Sequence, residues 1–293
     1  MPAATENLQF LINGVTLGAV YALVGVGFVL IYQVTGVINF AQGEFVMLGA
    51  LGSALLWEAG MPLPLAAALA VAGTALVGAG VQRLALQPAR GASVERLIII
   101  TIGVSITIKG VVLLAVGTSP HFVDPFTRGD PIRVGGAVIL PQYLWVVAVT
   151  VLAVAALAWF FTRTMPGKAM RACAMNPEAA RLVAISPARM ALLAFTLAAT
   201  LGALSGAVLA PIQDPDYGIG LGLGLRGFTA AVVGGLDSVA GAVAGGLLLG
   251  LVEAFAAGHI PSGYKDAVAF GILLLVLLAR PGGVLRRLTG GRA

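Results

Sequence analysis

Apolar residues in this chain form continuous runs, and polar residues gather in short stretches between them. Runs of helical length fall near 8–32, 38–57, 63–82, 97–117, 138–161, 189–210, 226–257 and 266–279. A helix crosses about 30 Å of hydrocarbon with roughly 20 apolar residues, and most of these runs reach that length. None alternates with period two, which disfavours a β-barrel. The pattern predicts an all-α polytopic membrane protein of about eight transmembrane helices, built as a single transmembrane domain over 1–293.

Two runs are interrupted. The stretch 36–57 opens with Gly36-Val37-Ile38-Asn39-Phe40-Ala41-Gln42-Gly43-Glu44 before becoming apolar. The stretch 226–257 would be about 48 Å long as one straight helix, and Gly234-Gly235-Leu236-Asp237-Ser238 cuts it. Broken or re-entrant segments are therefore expected near 36–57 and 226–257. Paired, glycine-interrupted segments point to internal repeats around a central path, whereas glycines that merely allow close helix packing would read the same way.

Composition and charge sharpen this. Of 293 residues, 59% are hydrophobic and 10% charged, against about 25% charged in a soluble domain. That excludes a soluble enzyme and a disordered chain, and the lone Cys173 excludes an intramolecular disulfide. The first run follows no basic residue and ends in no small-x-small cleavage site, so it is expected to be a span, not a cleaved signal. Twelve of the 17 basic residues lie in three clusters: Arg83, Arg90 and Arg96; Arg163, Lys168, Arg171, Arg181 and Arg189; and Arg280, Arg286, Arg287 and Arg292. Basic loops stay on the cytoplasmic side, which places all three clusters there. The C-terminus is then cytoplasmic, which requires that 226–257 enters the membrane twice, and three crossings before Arg83 put the N-terminus outside. Charge of this kind reads as topology, not as a nucleic-acid surface.

The longest cytoplasmic connection, 162–188, lies between the fifth and sixth spans. Asn176 suits an N-cap, Pro177 the first helical position and Glu178 the positive end of the dipole. A short amphipathic helix over 177–184 should follow, with Ala180, Leu182 and Val183 presenting small or apolar surface and Arg171 and Arg181 facing acidic groups. Such a helix can dock in another protein's groove or lie on headgroups.

Glu178-Ala179-Ala180 in this loop resembles the coupling-helix signature of ATP-binding-cassette importer permeases. Nearly end to end, the chain is similar to a permease subunit of the high-affinity branched-chain amino acid (leucine/isoleucine/valine) importers of that class. The resemblance is carried by Asn13-Gly14-Val15-Thr16-Leu17-Gly18-Ala19-Val20-Tyr21-Ala22-Leu23, Ile38-Asn39-Phe40-Ala41-Gln42-Gly43-Glu44 and Arg171-Ala172-Cys173-Ala174. It continues in Phe228-Thr229-Ala230-Ala231-Val232-Val233-Gly234-Gly235 and Tyr264-Lys265-Asp266. Two departures stand out: Ala184 where the signature usually has glycine, and Asp237 where a small neutral residue is expected.

The resemblance implies a subunit of the bacterial inner membrane, working with a second homologous permease, two cytoplasmic ATPases and an external substrate-binding protein. Asn176, Pro177, Glu178, Ala179, Ala180 and Arg181 would form the ATPase contact. The chain needs no cofactor of its own: Gly167-Lys168-Ala169 lacks the surrounding residues of a phosphate loop, so ATP would be bound by the partners. No catalytic residue and no metal ligand is expected. His121 and His259 are far apart, no serine sits in Gly-x-Ser-x-Gly, and Cys173 has no histidine on its side. Asn39, Gln42 and Glu44 are the expected lining of the substrate path, with broken-helix ends meeting a carboxylate. Lys109 should snorkel outward, Glu253 should meet external water and Asp237 should face the cytoplasm. The alternatives are a permease of the same class for urea or short amides, and a stand-alone secondary carrier or facilitator.

Overall fold

The computed structural model describes residues 2–89, 91–259 and 265–279. Arg90, Tyr264 and the C-terminal arginine cluster, which enter the topology and the resemblance above, lie outside these. Among its described residues the chain is all-α apart from one short hairpin. Its helices are α1 (Pro2–Thr35), α2 (Gln42–Glu58), α3 (Leu63–Gly80), α4 (Val94–Val116), α5 (Pro141–Arg163), α6 (Met165–Met175), α7 (Pro177–Leu182), α8 (Pro187–Leu209), α9 (Ile219–Gly234), α10 (Val239–His259) and α11 (Lys265–Ala279). A π-helical segment, Val81–Leu86, prolongs α3, and β1 (Ile132–Val134) pairs antiparallel with β2 (Ala137–Ile139).

Six helices among the described residues are long and apolar enough to cross a membrane: α1, α3 with its extension, α4, α5, α8 and α10. From the sequence, about eight transmembrane helices are expected, with broken or re-entrant segments near 36–57 and 226–257; in those two stretches α2 and α9 have only 17 and 16 residues. At 1.5 Å per residue each is about 25 Å long, short of the hydrocarbon thickness. Both expected interruptions are present. The chain is non-helical between Thr35 and Gln42, and again between Gly234 and Val239. A third break, between Leu209 and Ile219, falls where Asp214-Pro215-Asp216 interrupts the apolar pattern, so α9 begins seven residues before the expected 226.

Depth follows from contacts at the two ends. Thr5 donates to the Gly135 carbonyl of the hairpin, and Phe10 packs on Phe255 and His259 of α10. At the other end of α1, Val34 joins a cluster with Met170, Cys173 and Met190, and Gln33 donates to the Asp237 carbonyl. Gln42, the first residue of α2, donates to Ala198 in the middle of α8, while Glu58 at its last residue meets His121 at the hairpin end. Thus α2 starts at mid-depth and runs to the hairpin end. α9 also starts beside Gly43, at mid-depth, and runs to the opposite end.

The order full span, half-depth helix, return span and outer helix therefore occurs twice, in α1–α4 and, inverted, in α8–α11. The packing repeats with it: α1 lies on α10 as α8 lies on α3, α9 on α1 as α2 on α8, and α9 on α10 as α2 on α3. This is the inverted-repeat arrangement of membrane transporters. α1 is the enclosed axis of the bundle, whereas α4 and α5 turn Ile99, Ile106, Leu114, Leu152 and Trp159 outward.

Lipid provides no hydrophobic drive between helices, so close backbone approach has to hold them. The α1–α10 seam shows how. Gly14 and Gly18 of α1, four apart, face Gly246 and Gly250 of α10, also four apart. A Cβ at Gly18 would lie 2.8 Å from Leu247 Cα, and one at Gly250 would strike the Gly18 backbone.

Candidate functional site

The connection between α5 and α8 is a two-helix knob rather than a loop with one short helix. Thr164 caps α6, its hydroxyl accepting from Gly167 N–H at 3.1 Å. Asn176 caps α7, Oδ1 accepting from the N–H groups of Glu178 and Ala179, both at 3.0 Å. Met170 and Cys173 of α6 and Ala180 of α7 are buried together on Met190 and Ala194 of α8, so the knob is fastened to a core helix. Burial pushes the Cys173 thiol above its ordinary pKa, and the Arg181 charge pulls weakly the other way.

Ala180 thus faces inward, not outward with Leu182 and Val183 as the amphipathic pattern suggested. The exposed tip consists of Met175, Leu182 and Val183, with exposures of 88%, 89% and 68%, flanked by Glu178, Ala179 and Arg181. α7 also ends two residues earlier than expected. Ala184 is the one described non-glycine residue with positive φ, at +61°. Its N–H reaches Arg181 O at 3.1 Å and that of Ile185 reaches Ala180 O at 3.0 Å, which is a Schellman closure. The left-handed position falls on the residue where the resemblance anticipates glycine.

The three expected path residues gather at the start of α2, and all are buried. Asn39 Oδ1 accepts from Ala41 N–H at 3.2 Å, holding the turn into the helix. Gln42 is wedged between Gly27 of α1 and Gly202 of α8 while donating to the Ala198 carbonyl at 2.9 Å. Glu44 accepts from the Ser105 hydroxyl of α4 at 2.9 Å, its other oxygen turned to Gly220 at the start of α9. One turn from Ser105, Lys109 lies 5.4 Å from the Tyr217 ring centroid, a cation–π distance. Below the break, at the knob end, a cavity of about 600 Å³ is lined by Val37, Gln82, Leu86, Arg181 and Phe195.

Pattern reading missed one charged pair. Arg226 Nε of α9 lies 3.2 Å from Glu253 Oε1 of α10, with side-chain exposures of 19% and 6%. Glu253 therefore meets an arginine rather than open external water. The two are on different helices with no sequence spacing to link them, and a charge inside the membrane is itself the usable signal. No group of His, Cys, Asp and Glu among the described residues could hold a metal ion.

Inverted repeats, half-depth helices meeting in mid-membrane and a capped knob at one end define a multi-pass transport permease. The model of the branched-chain amino acid transport system permease component matches residues 10–277. The chain is 37% identical to the high-affinity branched-chain amino acid transport system permease protein BraD of Pseudomonas aeruginosa, over 98% of each chain. It is 34% identical to LivH of Escherichia coli K12, a permease protein described in the same words, over 96% of each. It belongs to this permease family. Among solved structures, PsaBC from Streptococcus pneumoniae in complex with Fab shares the fold at a TM-score of 0.51 and 15% identity, covering 97% of this chain and 95% of that one.

Proposed function

We propose that this chain is one translocating half of an ATP-binding-cassette importer that brings branched-chain amino acids into a bacterial cell across the inner membrane. A second homologous permease completes the pore, two cytoplasmic ATPases bind the coupling helices of the pair, this chain's being the α6–α7 knob, and an external protein delivers the substrate. The knob end is then cytoplasmic and the hairpin end, with the N-terminus, external. The basic residues Arg163, Lys168, Arg171, Arg181 and Arg189 at the knob end support that orientation.

The observation that carries the reading is the knob itself: a twice-capped helix pair, with an apolar tip of Met175, Leu182 and Val183 flanked by Glu178 and Arg181, buried at its root against α8. Asn176, Pro177, Glu178, Ala179 and Arg181 form its contact side, and Ala180 anchors it. Movement of the knob passes directly to α8, whose midpoint carbonyl holds Gln42 at the helix break. Asn39, Gln42 and Glu44 then form the mid-membrane stretch of the path, above the cavity that opens toward the cytoplasm.

The test is uptake of labelled leucine, isoleucine and valine into proteoliposomes holding the assembled importer with its external binding protein. ATP-dependent uptake is expected, and Glu178→Lys with Arg181→Glu should uncouple it from hydrolysis. Uptake of urea or acetamide in place of these amino acids would overturn the substrate class.

A further inference from the structure

The helix break holds more than a packing junction. α2 and α9 begin within contact of one another: a Cβ on Gly220 would lie 2.9 Å from the Gly43 carbonyl oxygen, and one on Gly43 would strike the Gly220 carbonyl. Neither helix has a side-chain hydrogen bond at its N-cap, so two positive dipole ends meet at mid-depth. Asp216 does not fill this role for α9, since its Oδ1 is taken by Gly218 N–H at 2.6 Å, before the helix starts.

Into this junction projects Glu44, 2% exposed, with Oε2 lacking a hydrogen-bond partner and lying 2.8 Å from the Cβ position of Gly220. On the other side of Gly220 is a small apolar cleft walled by Phe28, Phe40, Leu221 and Phe228. Its rings touch, with Phe228 centroids 5.6 Å from Phe28 and 5.9 Å from Phe40. One acceptor, a helix N-terminus and an aromatic wall thus surround a single glycine.

We propose that the α2–α9 junction is a mid-membrane binding site for an aliphatic α-amino acid zwitterion. The α-ammonium donates to Glu44 Oε2, the α-carboxylate takes the first-turn N–H groups of α9, and the aliphatic chain lies on Phe28, Phe40 and Phe228. Each charge of the ligand then meets an opposite charge or dipole, which a membrane interior requires. In the present state the cleft holds only about 20 Å³, so the site is closed. Phe40 lies in the turn just before α2, the one wall not built on a helix, and its displacement opens the site. This inference rests on the substrate class proposed above and adds the place where that substrate pauses.

The test uses the complete importer in proteoliposomes with its binding protein, ATP and a diazirine analogue of leucine, followed by peptide mapping of the photo-adducts. Adducts are expected on peptides carrying Phe28, Phe40, Leu221 or Phe228, competed away by excess leucine. Glu44→Gln should lower their yield about tenfold or more, the loss of one charge-assisted hydrogen bond in a dry site. Should Glu44→Gln fail to assemble, the wild-type map decides alone. Adducts only elsewhere, no adducts, or an unchanged yield in assembled Glu44→Gln would overturn the site. An importer that takes up no branched-chain amino acid fails the substrate reading itself, whereas normal uptake with adducts elsewhere fails the site only.

Discussion

Replacing Ala184 by glycine should strengthen the knob. Ala184 sits at φ +61°, where a side-chain Cβ crowds the backbone at a cost of roughly 1–2 kcal/mol for an L-residue. Glycine removes that cost but gives up about 0.5–1 kcal/mol of unfolded-state entropy relative to alanine. The net gain is about 0.5–1 kcal/mol. It falls on the Schellman closure, whose two bonds run from Ala184 N–H to Arg181 O and from Ile185 N–H to Ala180 O. Hydrogen exchange of these two amides in the reconstituted protein reads the gain directly, as protection increased about two- to fivefold. Ala184→Val should act oppositely and more strongly, because a β-branched side chain is an outlier at positive φ. Unchanged or faster exchange in Ala184→Gly would mean that strain at Ala184 does not limit this helix end.

Other outcomes follow from the same structure. Cys173, the single cysteine, should resist alkylation near neutral pH, because burial keeps its thiol protonated. The sign is that of a raised pKa: the contribution to stability is complete below the thiol's ordinary value and is lost as pH rises through the folded one. Labelling should therefore accelerate above that ordinary value, beyond what thiol ionisation in a peptide gives. Gly250→Leu should block the α1–α10 approach and abolish folding, measured as loss of monodisperse protein in detergent, whereas Gly73→Ala, with open space around it, should gain about 1 kcal/mol of helix propensity. Arg226→Gln should destabilise by about 3–5 kcal/mol, since it removes the arginine that pairs with the buried Glu253 carboxylate, and combining it with Glu253→Gln should cost less than the sum of the two single substitutions. Additive losses in thermal unfolding would contradict a coupled pair.

Much of this architecture is written in the chain, though unevenly. The first break is legible because Asn39, Gln42 and Glu44 crowd into an apolar run, and polar side chains in a membrane need partners that a straight helix does not offer. The start of α7 is legible for a local reason, since Asn176-Pro177-Glu178 carries capping chemistry within three residues. Its end is not, because the left-handed residue is an alanine and bears no conformational signature. α6 is hidden by Pro166-Gly167 at its start, which read as loop residues, although proline fits a first helical turn and Gly167 is needed where a Cβ would strike the Phe160 carbonyl. The start of α9 is obscured by Gly218, Gly220, Gly222 and Gly224, which weaken a soluble helix but serve close packing in lipid. The contacts of Glu44 with Ser105 and of Arg226 with Glu253 depend on tertiary packing that no spacing encodes.

The central claim is that work enters through the α6–α7 knob. Its most direct test places single cysteines at Leu182 and Val183, with Cys173→Ser as background, and cross-links the assembled importer while leucine uptake is followed in proteoliposomes. Cross-links to an ATPase subunit are expected, with uptake that requires both ATP and that subunit. Labelling of these cysteines only from the external face, or uptake by the permease without any ATPase, would contradict it.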